Sequence, residues 1–283
     1  MGDIEKGKKI AEGKTKIIWA DPTGEAKVLI ESKDDITAGD GAERNVIENK
    51  GILSTETTSN CFRLLEHSYI PTHFSDRVDE RTFSAWRMVM IPLKLVVRRI
   101  ATGSYLDRNP GVKEGLIFDK PVVEFFFKDD QRHDPLVIYD AGGDRWLVYR
   151  AHRSMSDGFI GEMDGLVTLD DRQITPKGVM ALRRLCLWVF STLEDAWKLQ
   201  DVALVDLKIE CGFQLNLKGQ AIDHIVVADV IDNDSWRIWP AGDKSQMKDK
   251  QVYRDLEEKT TEALGAIKEN YQWVAEATAK FIN

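Results

Sequence analysis

The chain has 283 residues, 43% apolar and 30% charged, enough for one large domain or two smaller ones sharing an interface. A net charge of −8 excludes a general binder of nucleic acid or anionic membrane, yet leaves room for small anions held by a few local cations. No membrane-spanning apolar run, no apolar N-terminal core (Met1-Gly2-Asp3-Ile4-Glu5) and three scattered cysteines (Cys61, Cys186, Cys211) argue against a membrane protein, a secretory signal and a disulfide or zinc framework, and predict a cytoplasmic protein.

Residues 14–19 and 26–31 are β-prone and flank Asp21-Pro22-Thr23-Gly24, which has turn chemistry, so a hairpin opening at Gly13 is predicted. Residues 34–50, rich in glycine and charge, read as a loop leading into a helix over 52–67, which Pro71 closes. Strands are expected at 83–90 and 93–100, separated by Pro92, making 1–91 a small β-rich lobe and 92–283 a larger mixed lobe. In the second lobe, Thr175-Pro176 is a helix start. The three- and four-residue recurrence of Val179, Leu182, Cys186, Val189, Leu193 and Ala196 predicts an amphipathic helix. A strand over 202–212, a hairpin over 215–228 and a C-terminal helix with Leu264, Ile267, Tyr271, Val274 and Phe281 on one face complete an α+β, two-lobed chain. A cleft between lobes is a common ligand site.

Six segments carry chemistry. Glu12-Gly13-Lys14-Thr15-Lys16 couples an open backbone to two cations and suits a phosphate, although similar segments occur on solvated edge strands. The walk Val96-Val97-Arg98-Arg99-Ile100-Ala101-Thr102-Gly103-Ser104 runs a strand into arginines and a hydroxyl-bearing turn that suit phosphate oxygens or, alternatively, a plain capped strand end; the arginines point to opposite faces, so at most one need face a ligand. In Val205-Asp206-Leu207-Lys208-Ile209-Glu210-Cys211-Gly212, alternation sends Asp206, Lys208 and Glu210 to one face, a pattern that serves nucleotide phosphates and magnesium or, alternatively, a self-satisfied charge ladder; Cys211 has the apolar parity. The segment 228–239 packs Asp229, Asp232, Asp234 and Arg237 beside Trp236 and Trp239; the acidic loop alone reads equally as solvated, and the tryptophans favour a covered magnesium site. His133-Asp134 reads on its own as a solvated turn, and 244–254, with Asp249, Lys250 and Arg254, as a solvated charged face.

The order and content of these segments resemble the SAICAR synthetase (phosphoribosylaminoimidazole-succinocarboxamide synthase) family from about Gly7 to the last helix. The stretches 99–104, 108–115 and 228–240 are similar to the animal form in particular, where this unit is fused to an aminoimidazole ribotide carboxylase domain. The resemblance implies an N-terminal antiparallel β-rich lobe, a larger α/β lobe and ATP in the cleft. It also implies a ligase that joins L-aspartate to carboxyaminoimidazole ribotide (CAIR) through an acyl phosphate, with ATP and Mg2+ as cofactors and a homo-oligomeric assembly. Carried over by motif, Lys14, Lys16 and Lys208 would meet the nucleotide phosphates, and Met90 the adenine. Glu210 and Asp229 would hold magnesium, Arg98, Ser104 and Arg237 would hold the ribotide, and Asp134 would bind the ribotide or a second magnesium. Lys250 and Arg254 would close over the phosphates, and the loop from Asp35 to Asp40 would lie by the aspartate and ribotide. The chain departs from the family pattern at Val230, where Glu is frequent, at Asn233, where Pro is frequent, and at Cys211, where an aromatic residue is frequent. A small-metabolite kinase and a non-catalytic nucleotide-binding module are the rival readings of the same residues.

Overall fold

The computed structural model describes residues 5–166, 168, 171–216 and 218–282, with the side chain of Asp40 also outside the described set. Leu217 of the expected hairpin lies outside it too. In chain order the strands are β1 (Lys9–Glu12), β2 (Lys16–Ala20), β3 (Lys27–Ser32), β4 (Asp35–Ala38), β5 (Glu43–Val46), β6 (Phe74–Arg77), β7 (Thr82–Trp86), β8 (Met88–Ile100), β9 (Ile117–Phe127), β10 (Leu136–Asp140), β11 (Arg145–Tyr149), β12 (Phe159–Met163), β13 (Val202–Leu215), β14 (Ala221–Ala228) and β15 (Trp236–Pro240). The helices are α1 (Lys50–His67), α2 (Ser104–Arg108), α3 (Pro176–Lys198), α4 (Gln251–Arg254) and α5 (Thr261–Thr278).

These elements build the expected α+β, two-lobed architecture. The first lobe is an antiparallel sheet ordered β1-β2-β3-β7-β6, with α1 against β3, β6 and β7. The second is an antiparallel sheet ordered β12-β11-β10-β9-β8-β13-β14, with α3 packed against β13, β8 and β9. Thr175 caps α3 by accepting the Gly178 N–H at 3.2 Å, and Pro176 occupies the first turn, where a missing N–H costs nothing. Every apolar residue singled out on that helix, from Val179 to Ala196, is buried. Trp197 at its end meets Trp236 edge-on at 5.3 Å, stacks on Trp273 at 6.1 Å and meets Phe281 at 5.0 Å, tying α3, β15 and the C-terminal segment into one core.

Two expectations are corrected. Pro92 does not separate two strands: the chain breaks at Arg87, and β8 runs unbroken through Pro92. The register against β13 slips there, from Glu210 opposite Lys94 to Gly212 opposite Met90, so the ladder asks no N–H of Pro92. The division drawn at 91/92 therefore falls inside a strand. Residues 34–50 are not a plain loop but contain the hairpin β4–β5. Its anchors come from far along the chain: Ile36 and Ile47 pack with Tyr253, Ile267 and Tyr271. At its base the Asp34 carboxylate accepts Arg81 at 2.5 Å and the Gly51 N–H at 2.8 Å.

One feature of the large sheet places the site. β14 and β15 share the same edge of β13 end to end, β15 pairing up to Leu207 and β14 from Glu210 onward. The segment joining them, 229–235, leaves the edge opposite Lys208, whose N–H donates to the Ser235 carbonyl at 2.6 Å. The two lobes meet nearby, where His73 donates its N–H to the Val227 carbonyl at 2.9 Å and Val227 donates to Pro71 at 3.0 Å.

Gly212 sits where β8, β13 and β14 converge, and an added Cβ would lie 2.9 Å from Met88 Cβ and 3.2 Å from the Val89 carbonyl oxygen. Both atoms belong to or sit next to backbone, so Gly212→Ala is expected to cost about 1–3 kcal/mol, read as a lowered urea midpoint at unchanged slope.

Candidate active site

The neighbouring strands β8 and β13 form the floor of a cleft of about 410 Å3. Their register sets Arg98 opposite Asp206, Val96 opposite Lys208 and Lys94 opposite Glu210. Alternation then puts all six side chains on one face, and the family of contacts they make divides into two ends.

At one end lies a buried arginine clamp. Arg98 donates to Glu124 at 2.6 Å, to Asp206 at 2.7 Å and to Ser104 Oγ at 3.4 Å. Arg237 donates to the same Asp206 oxygen at 2.6 Å, and this carboxylate raises the Arg237 pKa. Glu124 also accepts Arg108 at 2.6 Å, and Arg108 is fully buried. Three guanidiniums therefore share the two carboxylates Glu124 and Asp206 beside the Ser104 hydroxyl, and the buried Asp249 carboxylate adds to the negative field on Arg237. Gly103 makes the fit possible. Its φ is +57°, and a Cβ there would stand 2.8 Å from Arg237 Nη2.

The other end alternates lysines and carboxylates. Lys208 stands 3.4 Å from Glu210, which also accepts Lys128 at 2.7 Å. Lys16 pairs with Asp229, and Lys94 with Asp134. Burial disfavours the Lys208 ammonium, but the Glu210, Asp229 and Asp232 carboxylates outweigh it and raise its pKa. Burial likewise opposes ionisation of Asp229, yet Lys16 and Lys208 hold it well below the usual carboxylate range. On the loop, Asp234, which also lines the cleft, accepts Lys250 at 2.7 Å and Tyr271 Oη–H at 2.7 Å. Burial works against its charge, but Lys50 and Lys250 prevail and depress its pKa.

Arg98, Ser104, Asp134, Lys208, Arg237 and Arg254 all line the cleft. Glu210, Asp229 and Lys16 adjoin its lysine end through the pairs above. The other sequence-derived candidates lie apart from the lining. Lys250 turns away onto Asp234. Met90 is half-buried in β8 opposite Gly212, and Lys14 lies along the 39–41 turn, its Cε 3.2 Å from where a Gly41 Cβ would be. Asp35 is buried beneath Arg44 and 3.6 Å from Lys33. The Asp40 side chain lies outside the described residues. Two segments are less exposed than their polarity predicts: Asp134 (φ +49°) faces the cleft rather than solvent alone, and Asp249 and Lys250 are buried. Sequence reasoning passed over Lys94, Glu124, Arg108 and Lys50. Lys94 shares the strand parity of Arg98 and was in that sense legible; the other three become functional neighbours only through the fold.

Among the described residues no cluster of three or more His, Cys, Asp or Glu is arranged as a metal cage. Glu210 and Asp229 nevertheless fit a magnesium ion. They sit at adjacent register, since Glu210 pairs with Ala228, and lysine ammoniums occupy both carboxylates. One or two carboxylates completed by phosphate oxygens and water is the coordination that magnesium favours in nucleotide sites.

Comparison with known proteins follows the same lines. A family profile described as SAICAR synthetase matches residues 9–270. A phosphoribosylaminoimidazole-succinocarboxamide synthase of Roseiflexus sp. (strain RS-1) is 44% identical over 278 residues, covering 98% of each chain. A human bifunctional phosphoribosylaminoimidazole carboxylase/phosphoribosylaminoimidazole succinocarboxamide synthetase is 45% identical over 270 residues, covering 95% of this chain and 58% of that protein. Among solved structures, a phosphoribosylaminoimidazole-succinocarboxamide synthase from Ehrlichia chaffeensis superposes with a TM-score of 0.76 at 27% identity, covering 96% of this chain and 98% of that one. A SAICAR synthetase in complex with ADP superposes with a TM-score of 0.71 at 28% identity, covering 93% and 97%.

The back of the lysine end carries a pH dependence. His73 is buried, and its Nε2–H donates to the Asp229 carbonyl at 2.9 Å; burial pushes its pKa down to about 4. Its unfolded counterpart titrates near the ordinary value of about 6.5. As pH falls from about 6.5 to about 4 the unfolded chain gains a proton that the native state refuses, so this contribution is present above pH 6.5 and is lost on acidification. Its full size is about 3 kcal/mol. His73→Gln should be less stable at neutral pH but show a shallower loss across that window; parallel stability–pH curves for the two proteins would rule the effect out.

Proposed function

The chain belongs to the SAICAR synthetase family and is an ATP-dependent ligase of purine biosynthesis, and from that premise we propose how its cleft condenses L-aspartate with CAIR. A carboxylate resists an amine because its carbonyl carbon is electron-rich and its leaving group poor. Attack of the CAIR carboxylate oxygen on the γ-phosphorus of ATP releases ADP and leaves an acyl phosphate. The aspartate amine then adds to that carbonyl, loses a proton and expels inorganic phosphate. The protein supplies position and charge neutralisation for both transfers.

The observation that carries this reading is the single carboxylate of Asp206 holding Arg98 and Arg237 together beside Ser104. That end has the guanidiniums, the hydroxyl and the fork geometry for a ribotide 5′-phosphate. Lys208, two residues along β13 from Asp206, then faces the reacting centre, where it offsets charge on the transferring phosphoryl group. Lys14 and Lys16 take the nucleotide phosphates, and Met90 packs beside the adenine. Glu210 and Asp229 hold magnesium, which when bound neutralises phosphate charge; Lys16 and Lys128, now on those carboxylates, would turn to the phosphates. Asp134 orients the ribotide from beside Lys94, and Arg254 closes over the cleft with Lys250 acting through Asp234. The Asp35–Asp40 segment borders the aspartate. On this division residues 1–91 serve the nucleotide and 92–283 the ribotide and metal.

We also place the enzyme in the cytoplasm, consistent with three buried free cysteines. No helix among the described residues is long and apolar enough to cross a membrane. We propose a homo-oligomer that can operate fused to, or associated with, an aminoimidazole ribotide carboxylase domain, since the human relative extends well beyond the matched region.

The test is ADP release with ATP, Mg2+ and CAIR, with and without L-aspartate. Release that requires aspartate and yields the succinocarboxamide supports the ligase; steady release without it would indicate a kinase. Lys208→Ala should lower turnover by about a hundredfold or more, and near-normal kinetics would remove Lys208 from the site. Arg237→Ala should raise the ribotide KM by about tenfold or more with the ATP KM little changed; the reverse pattern would move Arg237 to the nucleotide side.

A further inference from the structure

We propose that Lys94 is a further substrate-binding residue, whose ammonium receives the carboxylate carried by the base of the ribotide. This rests on the reading that the arginine clamp takes the ribotide phosphate. Lys94, Val96 and Arg98 alternate along β8 and all line the cleft. Four residues of strand span about 13 Å, the length scale of a mononucleotide. A ribotide anchored by its phosphate at Arg98 and Arg237 and lying along this floor passes Lys208 and brings its base edge to Lys94.

The surroundings of Lys94 favour that role. Its register partner Glu210 is already engaged by Lys128 at 2.7 Å and Lys208 at 3.4 Å. Lys94 instead pairs with Asp134, which also lines the cleft, and its side chain is 30% exposed. Partly exposed lysine–carboxylate pairs contribute little net stability, so a substrate carboxylate can take the place of Asp134 at small cost. Asp134 keeps a partner when this happens, because its other oxygen accepts the Asp129 N–H at 2.9 Å. The chemistry also calls for a cation here. The substrate carboxylate must approach a polyanionic nucleotide, and an ammonium beside it offsets the repulsion between them. With Lys208 assigned to the transferring phosphoryl group, Lys94 is the other lysine that lines the cleft.

Calorimetric binding of freshly prepared CAIR and of aminoimidazole ribotide, which lacks only the carboxylate, separates the possibilities. Lys94→Met should weaken CAIR by at least about tenfold and leave the decarboxylated ribotide within about twofold. Lys94→Arg, which keeps the charge, should retain most of the preference for CAIR. Equal weakening of both ligands, no weakening of either, or an effect confined to the aspartate KM would overturn the assignment. Arg237→Ala in the same assay should weaken both ligands alike, since both keep the phosphate. If it weakens neither, the ribotide reading of the cleft fails, independently of Lys94.

Discussion

One oxygen of Asp206 accepts from both Arg98 and Arg237, and much of the cleft depends on that arrangement. Asp206 is 5% exposed and Arg98 3% exposed, so neither charge can fall back on water. Breaking such a pair from one side typically costs about 3–5 kcal/mol, because the partner is left charged and buried. The arrangement thus contributes more to orientation than to net stability: it aims two forks, from β8 and β15, at one point in front of Ser104. β13 supplies the carboxylate between them, and α2 brings Arg108 onto Glu124 to steady Arg98 from behind.

The split edge of β13 does the complementary work at the lysine end. Because β14 and β15 use the same edge in succession, their connection must lie across Lys208. The loop is pinned at its start by the His73 imidazole on the Asp229 carbonyl and at its end by Ser235 on the Lys208 N–H. Between those points Asp232 and Asp234 turn back toward Lys50, Lys250 and Tyr271, which come from α1, the segment before α4, and α5. Both lobes therefore hold the same few residues.

Much of this was legible in the sequence wherever periodicity and side-chain chemistry agree. The alternation of Asp206, Lys208 and Glu210 and the Thr175-Pro176 helix start read correctly, and Trp236 and Trp239 are buried, the first against Trp197 and the second beside Ile100 and Val205. The misreadings share a cause: the deciding partner is remote. Pro92 breaks a strand by local rules but sits where the ladder slips. The 34–50 segment is polar enough for a loop yet is folded by Tyr253 and Tyr271, more than 200 residues away. Val230 and Cys211, two of the three departures from the family pattern, are both buried in the main core. The contrast between Lys94 and Arg98 is instructive. Parity put both on one face, but only the turn at Asp134 reveals what the lysine can reach.

The arginine clamp has a thermodynamic consequence on the proposed assignment. A ligand that binds only the native state raises stability in proportion to the logarithm of its concentration. With the clamp as the phosphate site, ribotide, product and inorganic phosphate would compete for the same guanidiniums, and the melting temperature would then rise with the phosphate content of the buffer.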